Sequence, residues 1–498
     1  MKSKNELSYK DLKMTCNENL FNFNTTEELE NIQTGIGQDR GIKALEFGLQ
    51  VNVKGYNLYI EGPSGVGKTM YTKNYLDKIS KKEKVPNDWC YIYNFNNPNN
   101  PISVSLPAGQ GKEFRDNMDG FIKEIKKDIK KTFNADDFEK EKASIKQRFE
   151  EKRSALLEKL NKDALKFDFQ VKASQNGIYM MPIVDGKVVE EEEFNKLEDS
   201  IKQEYESKSA VVQEQIMTVI GQIKEIERQS DKKISEWQSN IALLTISAHI
   251  NFLKSKYKRN KKINTFLNDV KQDVLKNVSY FLEEDKILEA QNPNQPGNPA
   301  NRVTDPSLNY RVNLFIDNSN KEGTPVIMDS NYSYSNIFGA LEYENYYGAL
   351  KTDFTMLKPG LLHQANGGYI IFQAKDLLSN PACYEALKKA LRVKELGIEA
   401  ASEQRSSMVM ISLRPEPIPL DLKVILIGYS QIYLTLLAMD ADFKKLFKIK
   451  VEFEDDAPLN TENANKLARI IHGFCDHDNF PHLDKGAMCK LIEYASKL

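Results

Sequence analysis

Two textures of hydrophobic and polar positions alternate along this chain. Short, nearly continuous apolar runs at 56–60, 89–95, 312–316, 368–372 and 422–428 predict strands buried on both faces, as in a parallel sheet covered by helices. From about residue 112 to 289 the pattern is that of long, charged helices instead. There Ile145, Phe149, Leu156 and Leu160, and then Val212, Ile216, Val219, Ile223 and Ile226, recur at the spacing of a coiled-coil seam. Between the seams Phe167, Phe169 and Val171 alternate with polar residues, and an apolar run leads to the turn Asp185-Gly186, which predicts a small β unit at the tip of a helical hairpin. The segment Gln291-Asn292-Pro293-Asn294-Gln295-Pro296-Gly297 lacks apolar residues and reads as a linker.

This order predicts residues 1–107 as the first part of an α/β core, 108–290 as a helical insertion, 291–301 as a linker, 302–456 as the rest of the core, and 457–498 as a terminal helical lid. The core needs strands from both sides of the insertion, because the first hundred or so residues supply too few.

The strongest chemical signal stands behind Tyr56, Leu58, Tyr59 and Ile60. Gly62-Pro63-Ser64-Gly65-Val66-Gly67-Lys68-Thr69 is a complete phosphate-binding loop: glycines turn backbone N–H groups inward around phosphates, Lys68 reaches the β- and γ-phosphate oxygens, and the Thr69 hydroxyl is placed to hold Mg²⁺. A helix beginning near Lys68 adds the positive end of its dipole. ATP with Mg²⁺ is therefore the expected cofactor. An α/β parallel sheet opened by such a loop and followed by a helical segment is the AAA+ plan.

Composition narrows the partners. Lys plus Arg (69) nearly balance Asp plus Glu (71), so no net field points to nucleic acid or an anionic membrane. The basic run Lys254–Lys262 around Tyr257 carries a weak nucleic-acid reading, against which a soluble helix end is the simpler account. No apolar run approaches the ~20 residues of a membrane span, and the N-terminus is no secretory signal, so the cytoplasm is expected. The five cysteines, Cys16, Cys90, Cys383, Cys475 and Cys489, read as reduced thiols. Cys475, His477 and His482, with Asp476 and Asp478, match no standard zinc spacing, and a turn between lid helices accounts for them.

Several blocks in order, Phe21-Asn22-Phe23-Asn24, Ile36-Gly37-Gln38-Asp39-Arg40, the phosphate loop, Tyr334–Gly339, Lys358–Tyr369 and Ser412–Asp421, resemble the Lon-like AAA+ proteases of the subgroup with a coiled-coil insertion in the ATPase domain. The resemblance implies a hexameric, ATP-driven ring that unfolds protein substrates and feeds them to a C-terminal serine peptidase domain with a Ser/Lys dyad. No dyad is recognisable here, and the chain reads as a fragment of a longer protein that ends within a lid helix. The resemblance also implies a nucleotide contact by Ile36 and Gly37.

At the motor positions the chain departs from that pattern. Gln373 stands where an acidic residue joins the Mg²⁺ shell, Ala374 cannot polarise water, and Asp376 is the nearest substitute. Ser430, after Tyr429, falls at the γ-phosphate sensor; Lys444 replaces a trans-acting arginine, and Lys490 a sensing arginine of the lid, with loss of the bidentate fork. Two readings stay open: an unfoldase motor, or a nucleotide-binding, poorly hydrolysing scaffold or gating ring. Tyr346 and Tyr347, followed by Gly348, are expected on a loop or helix end, either gripping substrate in a central pore or packed in the core.

Overall fold

The structure is a computed structural model that describes residues 7–8, 12–30, 36–51, 53–133, 136–174, 177–194, 199–282, 305–346, 349–398 and 413–497. Contacts divide the chain into two compact units, 1–116 with 311–498, and 117–310.

The first unit is built on a five-stranded sheet with β1 Leu58–Glu61, β2 Val326–Met328, β3 Tyr369–Gln373, β4 Lys423–Gly428 and β5 Ile449–Glu452. All pairings are parallel and the order is β5-β1-β4-β3-β2, with β1 between the fifth and fourth strands. Side chains alternate between two cores. Leu58 and Ile60 pack with Leu45 and Leu49 of α1 (Asp39–Gln50) and Leu76 of α2 (Lys68–Ser80), whereas Tyr59 packs on the other face with Phe372, Leu426 and Phe443. Burial of both faces is why β1, β3 and β4 are apolar at almost every position.

Two of the expected sheet strands lie elsewhere. Asp88–Ile92 and Val312–Ile316 pair with each other antiparallel and, with Ile102–Leu106, form a separate three-stranded sheet. The central sheet takes its outer strands from β2 and β5 instead, which are short or alternate with charge, as Lys450 and Glu452 do. An apolar run reports burial and says nothing of the partner strand, so the misassignment has a plain cause. Asp88, fully buried, ties this small sheet to two neighbouring backbone segments: its carboxylate accepts from Gly111 N at 2.9 Å, in the first turn of α3 (Gln110–Phe133), and from Asn318 N at 2.8 Å.

In the second unit α4 (Asp136–Leu165) packs along α5 (Asp199–Lys256). Ile145, Leu160, Val212 and Ile216 are buried, and Phe149, Leu156, Val219, Ile223 and Ile226 are half-buried. Strands Phe169–Ser174, Gly177–Val184 and Lys187–Val188 form an antiparallel sheet. It shares a core with Leu160, Tyr205 and Val212. α6 (Lys261–Lys276) begins at Asn260, whose side chain accepts from Ile263 N, and lays Ile263, Phe266, Leu267, Val270 and Val274 inward. Tyr257 is buried, its hydroxyl accepting from Asn117 Nδ2 at 2.7 Å. The ring expected to be available for base stacking is therefore core, because the basic run around it caps a helix hairpin whose inner side is apolar.

The first unit also contains α7 (Pro381–Val393), α8 (Ser430–Met439) and the two terminal helices α9 (Thr461–Asp478) and α10 (Lys485–Ala495). Phe21 and Phe23 of the N-terminal segment fill a core with Ala464, Ala468, Met488 and Ile492 of these last two. All five cysteines are free thiols. Among the described residues no helix is long and apolar enough to cross a membrane.

Candidate nucleotide-binding site

The phosphate loop leaves β1 at the carboxyl edge of the sheet and ends where α2 starts, at Lys68. Its glycines are required by geometry. At Gly62, with φ 149°, a Cβ would stand 2.7 Å from the Phe453 carbonyl; Gly65 and Gly67 hold φ 91° and 77°, and no heavy atom lies within 4 Å of where their Cβ would be. The concave side of the loop is thus open, lined by backbone, at the N-terminus of a thirteen-residue helix. That is an anion cradle by construction.

Lys68 curls into this cradle. Its ammonium donates to the Gly62 carbonyl at 2.7 Å and to that of Pro63, and lies 5.9 Å from the centre of the Tyr429 ring. Loss of water around it lowers its pKa, an effect that Asp455 partly opposes. Tyr429 is positioned by the buried Tyr59, whose hydroxyl donates to the Tyr429 carbonyl at 3.1 Å. Gly428 makes this approach possible, since a Cβ there would fall 2.2 Å from that hydroxyl. Ser430 is exposed at the first position of α8. The side chain that β4 delivers to the phosphate-loop lysine is therefore Tyr429.

Gln373 ends β3 and reaches across to the loop: its Nε2 donates to Thr69 Oγ1 at 3.2 Å, while its backbone N–H donates to the Tyr332 hydroxyl at 2.9 Å. The structure thus brings Gln373 to Thr69, the residue expected to hold Mg²⁺. Ala374, fully buried, packs beside Tyr59 and away from solvent. Asp376 is exposed in the short helix Ala374–Leu378 and its field acts on Tyr332.

Ile36 and Gly37 are placed by their neighbour Gln38, whose side chain donates to Glu454 O at 3.1 Å and accepts from Glu454 N at 2.9 Å. Gly37 itself, at φ 69°, abuts Ala457. This segment lies just past β5, against the stretch whose Phe453 carbonyl closes on Gly62. Arg40 reinforces the seam through Glu452 at 2.7 Å and Glu454 at 3.2 Å. One carboxylate adjoining the loop is invisible in the sequence: Glu61, buried, pairs with Lys450 at 2.6 Å and leaves its second oxygen without a partner.

Lys444 projects into solvent from the helix Phe443–Leu446, whose Phe443 is buried against Tyr59. Lys490 is exposed and engaged by Glu493 of its own helix at 2.9 Å, a carboxylate that also meets Lys13. Tyr346 closes the hairpin Glu344–Tyr346 with Ala349–Lys351, pairing with Ala349. The backbone there is a strand end where a loop or helix end was expected, because the flanking residues satisfy each other's backbone groups. Tyr347 and the side chain of Tyr346 lie outside the described residues.

Sheet order, phosphate loop and strand-three contact together define a P-loop nucleotide-binding domain of the AAA+ kind. The family model of the LonB-like AAA domain matches residues 322–454, which hold β2 to β5, and the Lon-like LonC helical domain matches 88–121, which runs through two strands into α3. A Lon protease homolog of Escherichia coli (strain K12) is 30% identical over 161 residues, 32% of this chain and 26% of that protein. In these segments the chain is similar to Lon-like AAA+ proteins, and its match spans about a quarter of the length of that relative.

Proposed function

We propose that this chain is the ATP-binding motor part of a Lon-like ATP-dependent protease: it binds ATP with Mg²⁺ and couples it to unfolding of protein substrates. A serine peptidase domain of the longer protein would receive them. The observation that carries the reading is the loop itself, an open backbone cradle on β1 with Lys68 inside it and Thr69 facing the tip of β3. When bound, Mg²⁺ would neutralise charge between the β- and γ-phosphates; Thr69 would hold it directly and Gln373 through the amide. The Tyr429 ring lies over Lys68, Tyr59 holds the Tyr429 backbone, and Tyr332 fixes Gln373. A hexameric ring in the cytoplasm, with the paired helices α4 and α5 as a coiled-coil arm, completes the proposal by analogy with the family.

A second reading is favoured by one specific observation. The tip of β3 offers a neutral amide to Thr69, and the next side chain is sealed in the core. Such a site holds a nucleotide without strongly activating water, which suits a scaffold or gating ring. ATP affinity and steady-state turnover on the purified chain decide between them. Turnover that is lost in Lys68→Ala supports the motor; tight ATP binding with no turnover supports the scaffold. Absence of ATP binding overturns both.

A further inference from the structure

The terminal helices bring together three side chains that nucleotide binding does not use. His472 and Asp476 stand one turn apart on α9 and so share a face, and His482 approaches from the loop before α10. His472 Nε2 lies 3.2 Å from one Asp476 carboxylate oxygen and His482 Nε2 lies 3.4 Å from the other. The two rings stack at 5.4 Å with their planes 25° apart. The candidate donor atoms all lie within 4.8 Å of one another.

We propose that His472, Asp476 and His482 form a binding site for a divalent transition metal of the zinc class, which clips α9 to the loop leading into α10. Two imidazoles and one carboxylate are a borderline donor set that suits Zn²⁺ and its neighbours and not Mg²⁺ or Ca²⁺, which prefer oxygen. With metal–ligand bonds of about 2.0–2.1 Å, tetrahedral ligands stand roughly 3.3 Å from each other; each histidine nitrogen meets a different Asp476 oxygen, and the donor atoms, within 4.8 Å of one another, would draw together by side-chain rotation on binding an ion. Asp476 is the exposed member, with 54% of its side chain accessible, against 12% for His472 and 24% for His482. The cluster is half-buried on the histidine side and open on the carboxylate side, which supplies an entry path and a position for water.

The surroundings orient the ligands as metal sites do. Thr26, fully buried, lies 3.2 Å through Oγ1 from His482 Nδ1, and accepts from Leu483 N at 3.0 Å. A hydroxyl oxygen accepts twice, so Thr26 can also take the Nδ1 proton that His482 must carry when Nε2 binds metal. His472 Nδ1 is buried without a protein partner among the described residues, so the protein orients His482 through Thr26 and leaves the second nitrogen of His472 without such a support. The loop that carries His482 is also held by the N-terminal segment, because Thr26 donates its backbone N–H to Leu483 O at 2.8 Å. The donor set differs from the cysteine-centred cluster suggested by adjacency in sequence. Cys475 is buried with its thiol on the Pro481 carbonyl at 3.5 Å, and His477 is exposed beside Asp478.

The test is titration of the tag-free chain, stripped by a chelator and without nucleotide, with Zn²⁺ by calorimetry and with Co²⁺ by its visible spectrum. One equivalent of Zn²⁺ is expected, with a Co²⁺ spectrum of tetrahedral intensity. Asp476→Asn, at the exposed member, and His482→Ala should abolish stoichiometric binding, Thr26→Val should weaken it about 10- to 100-fold, and His477→Ala should leave it unchanged. Chelator-treated variants must give the same circular dichroism as the parent, and Asp476→Asn keeps the test valid if His482→Ala unfolds. No stoichiometric binding, or binding that survives Asp476→Asn, or equal loss in His477→Ala, overturns the proposal and leaves a histidine–carboxylate ion-pair cluster.

Discussion

The loop after β1 and the tip of β3 sit at the same edge of one sheet and meet through one hydrogen bond, Gln373 to Thr69, but on the proposed reading they would handle a nucleotide by different means. The loop would work with backbone N–H groups and glycine conformations, and Gly62, Gly65 and Gly67 hold the positive φ angles that such a turn needs. The β3 tip works with side-chain charge, and there the chain offers an amide followed by a buried methyl group. On the proposed reading, holding a nucleotide and turning it over would be separable properties of two strand ends flanking β4.

The largest expected effect falls on the loop. Lys68→Ala removes charge-assisted contacts to phosphate worth about 1.5–3 kcal/mol each, so ATP affinity should fall roughly 100-fold or more. The lysine is only half-exposed surface, and the melting temperature should change little. Calorimetric titration with ATP checks this, and undiminished affinity would contradict the cradle.

Gln373→Asp strikes the other side of the comparison. It should tighten the Mg²⁺ dependence of ATP binding about 10- to 100-fold and raise turnover, as followed by phosphate release. If turnover stays flat while Mg²⁺ binds more tightly, the limit is the sealed Ala374, and the scaffold reading gains. Tyr429→Ala tests the residue whose ring lies over Lys68. Loss of a cation–π contact of about 0.5–1 kcal/mol should weaken ATP binding about two- to fivefold; an increase in affinity would mean that the ring blocks the site.

The smallest effect separates positioning from binding. Tyr332→Phe leaves the Gln373 N–H without its acceptor and should cost about 1 kcal/mol in urea unfolding, with ATP affinity unchanged. A matching loss of ATP affinity would show that Gln373 contributes to binding and would blur the contrast between the two strand ends.

How far the sequence discloses all this obeys the same division. The phosphate loop is legible because its eight residues act where they stand, and Gln373 is found because it ends a buried strand directly after Gly367-Gly368. Tyr429 yields to Ser430 in the sequence, since only the Tyr59 hydroxyl, on another strand, aims it at Lys68. The partner of Asp88–Ile92 is misjudged there because apolar strands look alike whichever sheet they join. At the terminal helices, contiguous Cys475 and His477 draw attention, although on a helix the neighbour of Asp476 is His472, one turn away.

The pairing of Asp88–Ile92 with Val312–Ile316 bears on how the polypeptide assembles in time. Two strands so far apart in sequence must find each other, and closing a flexible loop costs entropy that grows with its length, slowly but before any contact repays it. If the intervening helices fold first, the tether between these strands contracts from a long coil to a short one, and the α/β unit inherits a much faster search. Pulsed hydrogen exchange during refolding should then protect amides of α4 and α5 before those of Cys90 and Leu314, which face each other across that pair. The reverse order would mean that the strands dock while the chain between them is still unfolded. Synthesis favours the expected order, because the ribosome delivers every residue of the helical segment before the returning strand emerges.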